Sequence, residues 1–206
     1  MLPDSKSHTP VLLNEVLEIF DPKPGQIYID ATVDGGGHAR AIAQRAGPTG
    51  RVLGIDWDCD LIRESGIRNQ ESGIKNIELV CENYANIKVV ADGHRICGKV
   101  NGVLFDLGFS SYHIEKSGRG FSFAKDEPLD MRYNPAENKL TAEEIVNRWP
   151  EQALADILSR WGEERYAGRI ARAIVRKRSH KRIGTASALA EVIYRSVPRM
   201  YRNARL

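Results

Sequence analysis

The sequence predicts an α/β protein with a parallel, doubly wound sheet in its first half and a helical block in its second. Three observations carry this. Short apolar runs alternate with amphipathic helical stretches over the first hundred residues, the pattern of strands joined by crossover helices. A glycine turn, Gly35-Gly36-Gly37, joins the first apolar run to a helix. After Leu107 the strand signals stop, and from Thr141 the periodicity is helical.

Val11–Phe20 places Leu12, Leu13, Val16, Leu17 and Phe20 at helical spacing, and Pro22, Pro24 and Gly25 break that helix. Residues 27–33 form a first strand, followed by the glycine turn and a helix near His38–Arg45. Gly47-Pro48-Thr49-Gly50 is a turn, and Arg51–Asp56 is a second strand. A helix over Asp60–Gln70, a third strand over Ile77–Cys81, a helix over Ala85–Asp92 and a fourth strand over Val100–Asp106 complete the alternation. Phe109–Pro135 is rich in turn residues. Thr141-Ala-Glu-Glu144 is a capping-box sequence opening a helix to Trp149. Helices over Glu151–Trp161 and Glu163–Lys177 follow, then one capped by Thr185 that Pro198 ends.

At 206 residues, with 42% hydrophobic and 28% charged side chains, the chain is globular in composition and long enough for one domain or one and a half. No apolar run approaches the roughly 20 residues of a membrane span, and the first residues lack a secretory h-region. Cys59, Cys81 and Cys97 are widely spaced and odd in number. They are expected to be reduced thiols of a cytosolic protein, with neither a disulfide frame nor a zinc site. The net charge of +3 hides an asymmetry. Residues 1–118 hold 12 Lys and Arg against 16 Asp and Glu, whereas residues 165–206 hold 12 against one, Glu191. An excess that local points to a polyanion, most simply nucleic acid, over a merely solubilising surface.

In a doubly wound sheet, ligands bind outside the carboxyl ends of the strands. Asp30, Asp56 and Asp106 fall there. Asp56 lies 20 residues after Gly36, a spacing that suits an acid accepting from ribose hydroxyls. The alternative is a tight turn with helix-capping acids. The loop Asp34-Gly-Gly-Gly-His38 misses the GxGxxG spacing that seats a pyrophosphate. An acid-rich rim of Asp30, Asp34 and Asp106 suits the sulfonium cation of S-adenosylmethionine better.

Six motifs then occur in order: His8-Thr-Pro-Val-Leu-Leu13 with Glu15; Tyr28-Ile-Asp-Ala-Thr-Val-Asp-Gly-Gly-Gly-His38; Asp106-Leu-Gly-Phe-Ser-Ser111; Arg119-Gly-Phe-Ser-Phe123; Pro128-Leu-Asp-Met-Arg132; and Gly162-Glu-Glu-Arg165. The series resembles the ribosomal RNA small-subunit methyltransferase H family. That resemblance implies a cytoplasmic enzyme that transfers a methyl group from S-adenosylmethionine to N4 of a decoding-centre cytosine in 16S rRNA. It implies a Rossmann-like class I methyltransferase sheet with a helical domain inserted after the fourth strand. Residues 1–108 correspond to the first part of the cofactor domain and 109–206 to an incomplete insertion. Cofactor residues carry over as Gly36, Gly37, His38, Asp56, Tyr84 (suited to stacking on adenine), Asp106 and His113. Tyr112-His113 replaces a usual Pro-Gln, Asp34 stands where glycine is common, and Ala39 replaces a hydroxyl residue. The family's later His-Pro-Ala-Thr-Arg and Ser-Phe-His-Ser-Leu-Glu-Asp-Arg segments do not occur here. The resemblance therefore implies a C-terminally truncated member with an open fourth strand, and leaves open whether it is active or an inactive fragment. Asp106 is expected to orient the amine, the cofactor or both; no general base is assigned and no metal is expected.

Arg165, Arg169, Arg172 and Arg176 are spaced four, three and four apart, which puts them on one stripe of a helix beside the apolar stripe of Tyr166, Ile170, Ala173 and Ile174. Four guanidiniums on one face suit RNA phosphates; a solvated face is the plainer alternative. Arg176-Lys177-Arg178 and Lys181-Arg182 extend the patch. Phe121, Phe123 and Tyr133 are either stacking partners for a flipped base or core. Two other classes remain: a non-catalytic RNA-binding remnant, and a nicotinamide-dependent oxidoreductase.

Overall fold

A computed structural model gives the structure of residues 10–201, so His8 of the first motif lies outside the described residues. The elements run α1 (Leu13–Phe20), β1 (Ile27–Asp30), α2 (Gly37–Ala46), β2 (Arg51–Asp56), α3 (Cys59–Glu71), β3 (Ile77–Cys81), a 3₁₀ turn (Tyr84–Asn86), α4 (Ile87–Gly93), β4 (Gly102–Leu104) and α5 (Ser111–Glu115). Four further helices follow: α6 (Ala142–Arg148), α7 (Glu151–Arg160), α8 (Ala167–Arg178) and α9 (Ala186–Ser196). The chain divides into two compact units, one up to Tyr112 and one from His113.

The first unit is built on a parallel sheet of order β3-β2-β1-β4, the order of one half of a doubly wound fold. Its strands alternate apolar side chains between two faces. Register places Tyr28 beside Val52 and Ile29 beside Leu53. Tyr28 and Val52 pack with Leu17, Ala39 and Ile42 from α1 and α2. Ile29 and Leu53 pack on the opposite face with Ile55, Ala91 and Ile96. Burial on both faces is what a parallel sheet requires, and it explains the near-continuous apolar runs.

The second unit is helical. Its core joins Leu129, Val146, Leu154, Ile170, Ala171, Ile174, Ile183 and Val192. Thr141 caps α6 by accepting the Glu144 N–H at 3.1 Å, while the Glu144 carboxylate pairs with Arg148 instead of closing the box. Thr185 caps α9 in the same way. The turn-rich segment is held by polar forks. Arg119 Nη1 donates to the carbonyls of Arg132 and Tyr133, and Arg132 grips both oxygens of Asp130 at 2.8 and 2.6 Å.

Several boundaries differ from the sequence expectation for local reasons. The first strand stops at Asp30, not Val33, because Asp30 Oδ1 accepts the Thr32 N–H and bends the chain. The fourth stops at Leu104, and the Asp106 N–H donates to Thr32 Oγ1 at 2.7 Å. The helix expected from Glu163 begins at Ala167, because Glu163 adopts φ +50° and Glu164 Oε1 accepts the Tyr166 N–H. The short α5 had no sequence signal.

The expectation of reduced thiols at Cys59 and Cys81 is corrected: the two form a disulfide, with Cα atoms 5.1 Å apart. The reason is topological. Register pairs Asp56 with Cys81 across β2 and β3, and Cys59 opens α3 three residues beyond Asp56. Cys97 is outside the bond and exposed.

Candidate functional site

The strand ends of the first unit gather Asp30, Asp34, Asp56, Asp58 and Asp106. Asp56 is almost fully buried, and its two oxygens have distinct tasks. Oδ2 accepts the main-chain N–H of Asp34 at 2.9 Å, and Oδ1 accepts that of Asp58 at 2.8 Å. The expected ribose acid thus also ties the glycine turn to the turn that opens α3. Asp30 is fully buried. Its Oδ1 accepts from Thr32, while its Oδ2 has no hydrogen-bond partner among the described residues. Burial pushes the Asp30 carboxyl well above its ordinary range, reinforced by Asp34, Asp56 and Asp106. Burial, with Asp56, Asp106 and Asp58, raises Asp34 to about 7.

The turn itself is shaped by torsion and by volume. Gly36 has φ +74°, a left-handed conformation that favours glycine. Gly37 opens α2, and a Cβ there would lie 2.2 Å from Pro10 Cγ. Gly37 is therefore required by close approach of the protein's own chain. Arg40 Nη1 donates to Gly35 O at 2.9 Å, and Ser65 Oγ donates to Asp34 O at 2.9 Å. The first N–H groups of α2 have no side-chain cap.

His38 is buried, with Nε2 donating to Val11 O at 2.9 Å and Nδ1 lying 3.9 Å from Asp106 Oδ2. It fastens the segment before α1 to α2 and borders the acid cluster. Tyr84 is 46% exposed and meets Phe105 edge-on, with ring centroids 5.8 Å apart. Phe105, 47% exposed, escaped the sequence reading, because an apolar residue at the end of a strand run gives no signal of its exposure. His113 belongs to the second unit, where it packs against Phe121 and Tyr133, each with centroids 4.9 Å away. Phe121 and Tyr133 are thus part of an aromatic cluster, whereas Phe123 is exposed.

In the second unit, Arg165, Arg169, Arg172 and Arg176 are all exposed. Arg172 pairs with Glu151 at 3.6 Å, and Arg165 sits over the Tyr201 ring at 5.9 Å. Arg178 does not extend the patch: its guanidinium donates to Val146 O and Trp149 O, both at 2.7 Å, and closes the end of α6. A groove between α8 and α9, about 390 Å³, is lined by Arg176, Lys177, His180 and Arg195. No described helix is long and apolar enough to cross a membrane.

Sheet order, glycine turn and acid-lined strand ends together define an α/β protein of the doubly wound type with its crevice at the carboxyl edge. The chain belongs to the MraW methylase family, whose family model matches residues 5–206. The ribosomal RNA small subunit methyltransferase H of Fervidobacterium nodosum is 47% identical over 192 residues, covering 93% of this chain and 63% of that protein. The protein of the same name from Carboxydothermus hydrogenoformans is 45% identical over 193 residues, 93% of this chain and 60% of its own. That from Symbiobacterium thermophilum is 42% identical, covering 93% and 59%. The chain thus spans about three fifths of the length of these relatives. A SAM-dependent methyltransferase structure from Aquifex aeolicus overlaps 34% of this chain and 38% of its own at 22% identity and a TM-score of 0.33.

The cofactor that membership implies is S-adenosylmethionine, and the residues present fit it. A buried carboxyl oxygen without a partner among the described residues, inside a group of acids that raise one another's pKa, is a place where a cation is stabilised. The uncapped start of α2 offers donors to a carboxylate.

Proposed function

We propose that this chain carries the S-adenosylmethionine site, and part of the RNA-facing surface, of a methyltransferase acting in the cytoplasm on N4 of a decoding-centre cytidine in 16S rRNA. The observation that carries the reading is the acid cluster over the glycine turn, with Asp30 Oδ2 buried and without a partner among the described residues. Family membership and the names of the relatives support the RNA as target.

Gly36 and Gly37 shape the turn, His38 fastens it, Asp56 accepts from the ribose, and Tyr84 stacks on the adenine. Asp106, more exposed than Asp30 and Asp56, orients the target amine, the cofactor or both; His113 is carried over from the family's motif as a further cofactor-binding residue. When bound, S-adenosylmethionine supplies an electrophilic methyl group. The cytosine amine is a weak nucleophile, since its lone pair is conjugated with the ring. An acceptor such as Asp106 helps by holding its N–H and fixing its direction. Residues up to 108 form the cofactor domain, and 109–206 the helical insertion. In the insertion, Arg165, Arg169, Arg172 and Arg176 take RNA phosphates.

The test is a calorimetric titration of the folded chain with S-adenosylhomocysteine, with NAD as control. Saturable binding of S-adenosylhomocysteine alone supports the reading, and methyl transfer to unmodified small subunits is the next measurement. Binding of NAD in its place, or of neither by a folded chain, overturns it.

A further inference from the structure

Asp34 occupies a position where the backbone is left-handed, with φ +48°. Glycine, asparagine and aspartate tolerate that conformation best, and of these only aspartate brings a charge. Its main chain is pinned at both polar atoms. The N–H donates to Asp56 Oδ2 and the carbonyl accepts from Ser65 Oγ. The carboxyl is thereby set among the strand-end acids. Asp30 faces it from β1, Asp56 from β2, Asp58 from the start of α3 and Asp106 from beyond β4, with the Ser110 hydroxyl bonded to it. The nearby cations Arg40 and Arg68 both direct a guanidinium N–H at Gly35 O, and Arg68 also pairs with Glu64. His38 borders Asp106 from α2.

We propose that Asp34 makes this site select the cationic sulfonium form of the cofactor over its neutral thioether product, and that it gives up a proton to solvent as the cation binds. The inference rests on the S-adenosylmethionine reading above and adds a selectivity device to it. Two independent observations point the same way. Asp30 Oδ2 is buried with no hydrogen-bond partner among the described residues, so the site holds unmet hydrogen-bonding capacity before Asp34 ionises. The Asp34 main chain is held at both polar atoms within this cluster, and its carboxyl is hydrogen-bonded with Ser110. Because the Asp34 carboxyl is raised to about 7, an arriving cation finds it partly protonated near neutrality and draws it into its charged form. The thioether product has no such charge and leaves the proton in place, so product release is eased by the same residue.

The experiment is calorimetry on the full chain with S-adenosylmethionine and with S-adenosylhomocysteine. It runs at pH 6 and pH 8, in buffers of unlike ionisation enthalpy, on wild type, Asp34→Asn and Asp34→Gly. Both replacements suit the positive φ, so loss of fold is not expected, and circular dichroism checks this. The ratio of the two dissociation constants should move roughly tenfold towards S-adenosylmethionine between pH 6 and pH 8 in wild type, the effect of one nearby charge. About half a proton should be released at pH 7 on binding S-adenosylmethionine. Both effects should vanish in the two variants. A pH-independent ratio in wild type, or an unchanged slope in Asp34→Asn, overturns the proposal while leaving the cofactor reading intact. Failure of a folded wild-type chain to bind either compound overturns both.

Discussion

Asp56 holds Asp34 by its main chain: Oδ2 at the end of β2 accepts an N–H from the glycine turn, 22 residues earlier, at 2.9 Å. The acid is thus a brace for the turn as well as a candidate ligand. Its two roles separate under substitution.

Asp56→Ala removes the acceptor for both the Asp34 and the Asp58 amides. Leaving buried donors unmet costs about 1–3 kcal/mol each. We expect a lower melting temperature of the first unit and at least a roughly tenfold loss of S-adenosylhomocysteine affinity, about 1.4 kcal/mol. Thermal melts and calorimetry on one preparation check both. Unchanged affinity with a lowered melting point would leave Asp56 only its bracing role.

The acid cluster sets a pH dependence of unusual sign. Asp30 and Asp34 keep their protons in the folded protein at pH values where they lose them unfolded. Between the ordinary carboxylate range and about 7, the native state binds more protons, so stability of the first unit falls as pH rises. Asp130 in the second unit runs the other way. Its hydrogen bonds to Arg132 hold it below the ordinary range, so its contribution is present at neutral pH and lost on acidification. Urea unfolding from pH 4.5 to 7.5, followed at Trp57 with Trp149 and Trp161 changed to Phe, reads the first unit. Asp34→Asn should flatten the upper part of that profile.

Arginines of one helix divide by task. Arg169→Ala with Arg172→Ala should lower the slope of log affinity for a 16S rRNA fragment against log salt by about 1.5, the loss of two phosphate contacts. Arg178→Ala should leave that slope unchanged and destabilise the second unit instead, because it strips two carbonyls at the end of α6 of their donor. Filter binding over a salt series, with melts alongside, distinguishes them. Equal slopes for all three proteins would remove the helix-face reading.

The disulfide closes a loop between positions 22 residues apart. A closed loop of that size is worth about 3 kcal/mol in the chain-entropy account. Adding a dithiol reductant should therefore lower the denaturation midpoint of the wild type and leave Cys59→Ser/Cys81→Ser unaffected. Identical midpoints with and without reductant in the wild type would count against the bond.

Much of the fold was legible because two periods do not resemble each other. Arg51–Asp56 and Ile77–Cys81 read as strands and end where expected, since each apolar run is too short for a helix and is preceded by turn residues. The acid cluster was legible as strand-end residues. What escaped depends on contacts between distant positions. The Cys59–Cys81 bond follows from strand register, which no local spacing encodes. Tyr84 was anticipated, but its partner Phe105 arrives from beyond β4. Arg178 looked like one more basic residue in a run, and only the packing of α6 against α8 turns it inward.

Two adjacent glycines in the turn answer to different constraints. Gly36 is first a matter of torsion, and a Cβ there would meet only side-chain ends, Arg40 Nη1 at 2.9 Å and Ser65 Oγ at 3.1 Å. Gly37 is a matter of occupied space, and its tenant is decided by Pro10, far upstream. Alanine at 37 therefore becomes admissible once residue 10 is trimmed, with no reference to any ligand. The two positions form an epistatic pair, and a mutational scan of the turn alone would credit to the cofactor a cost levied by the protein's own amino-terminal segment.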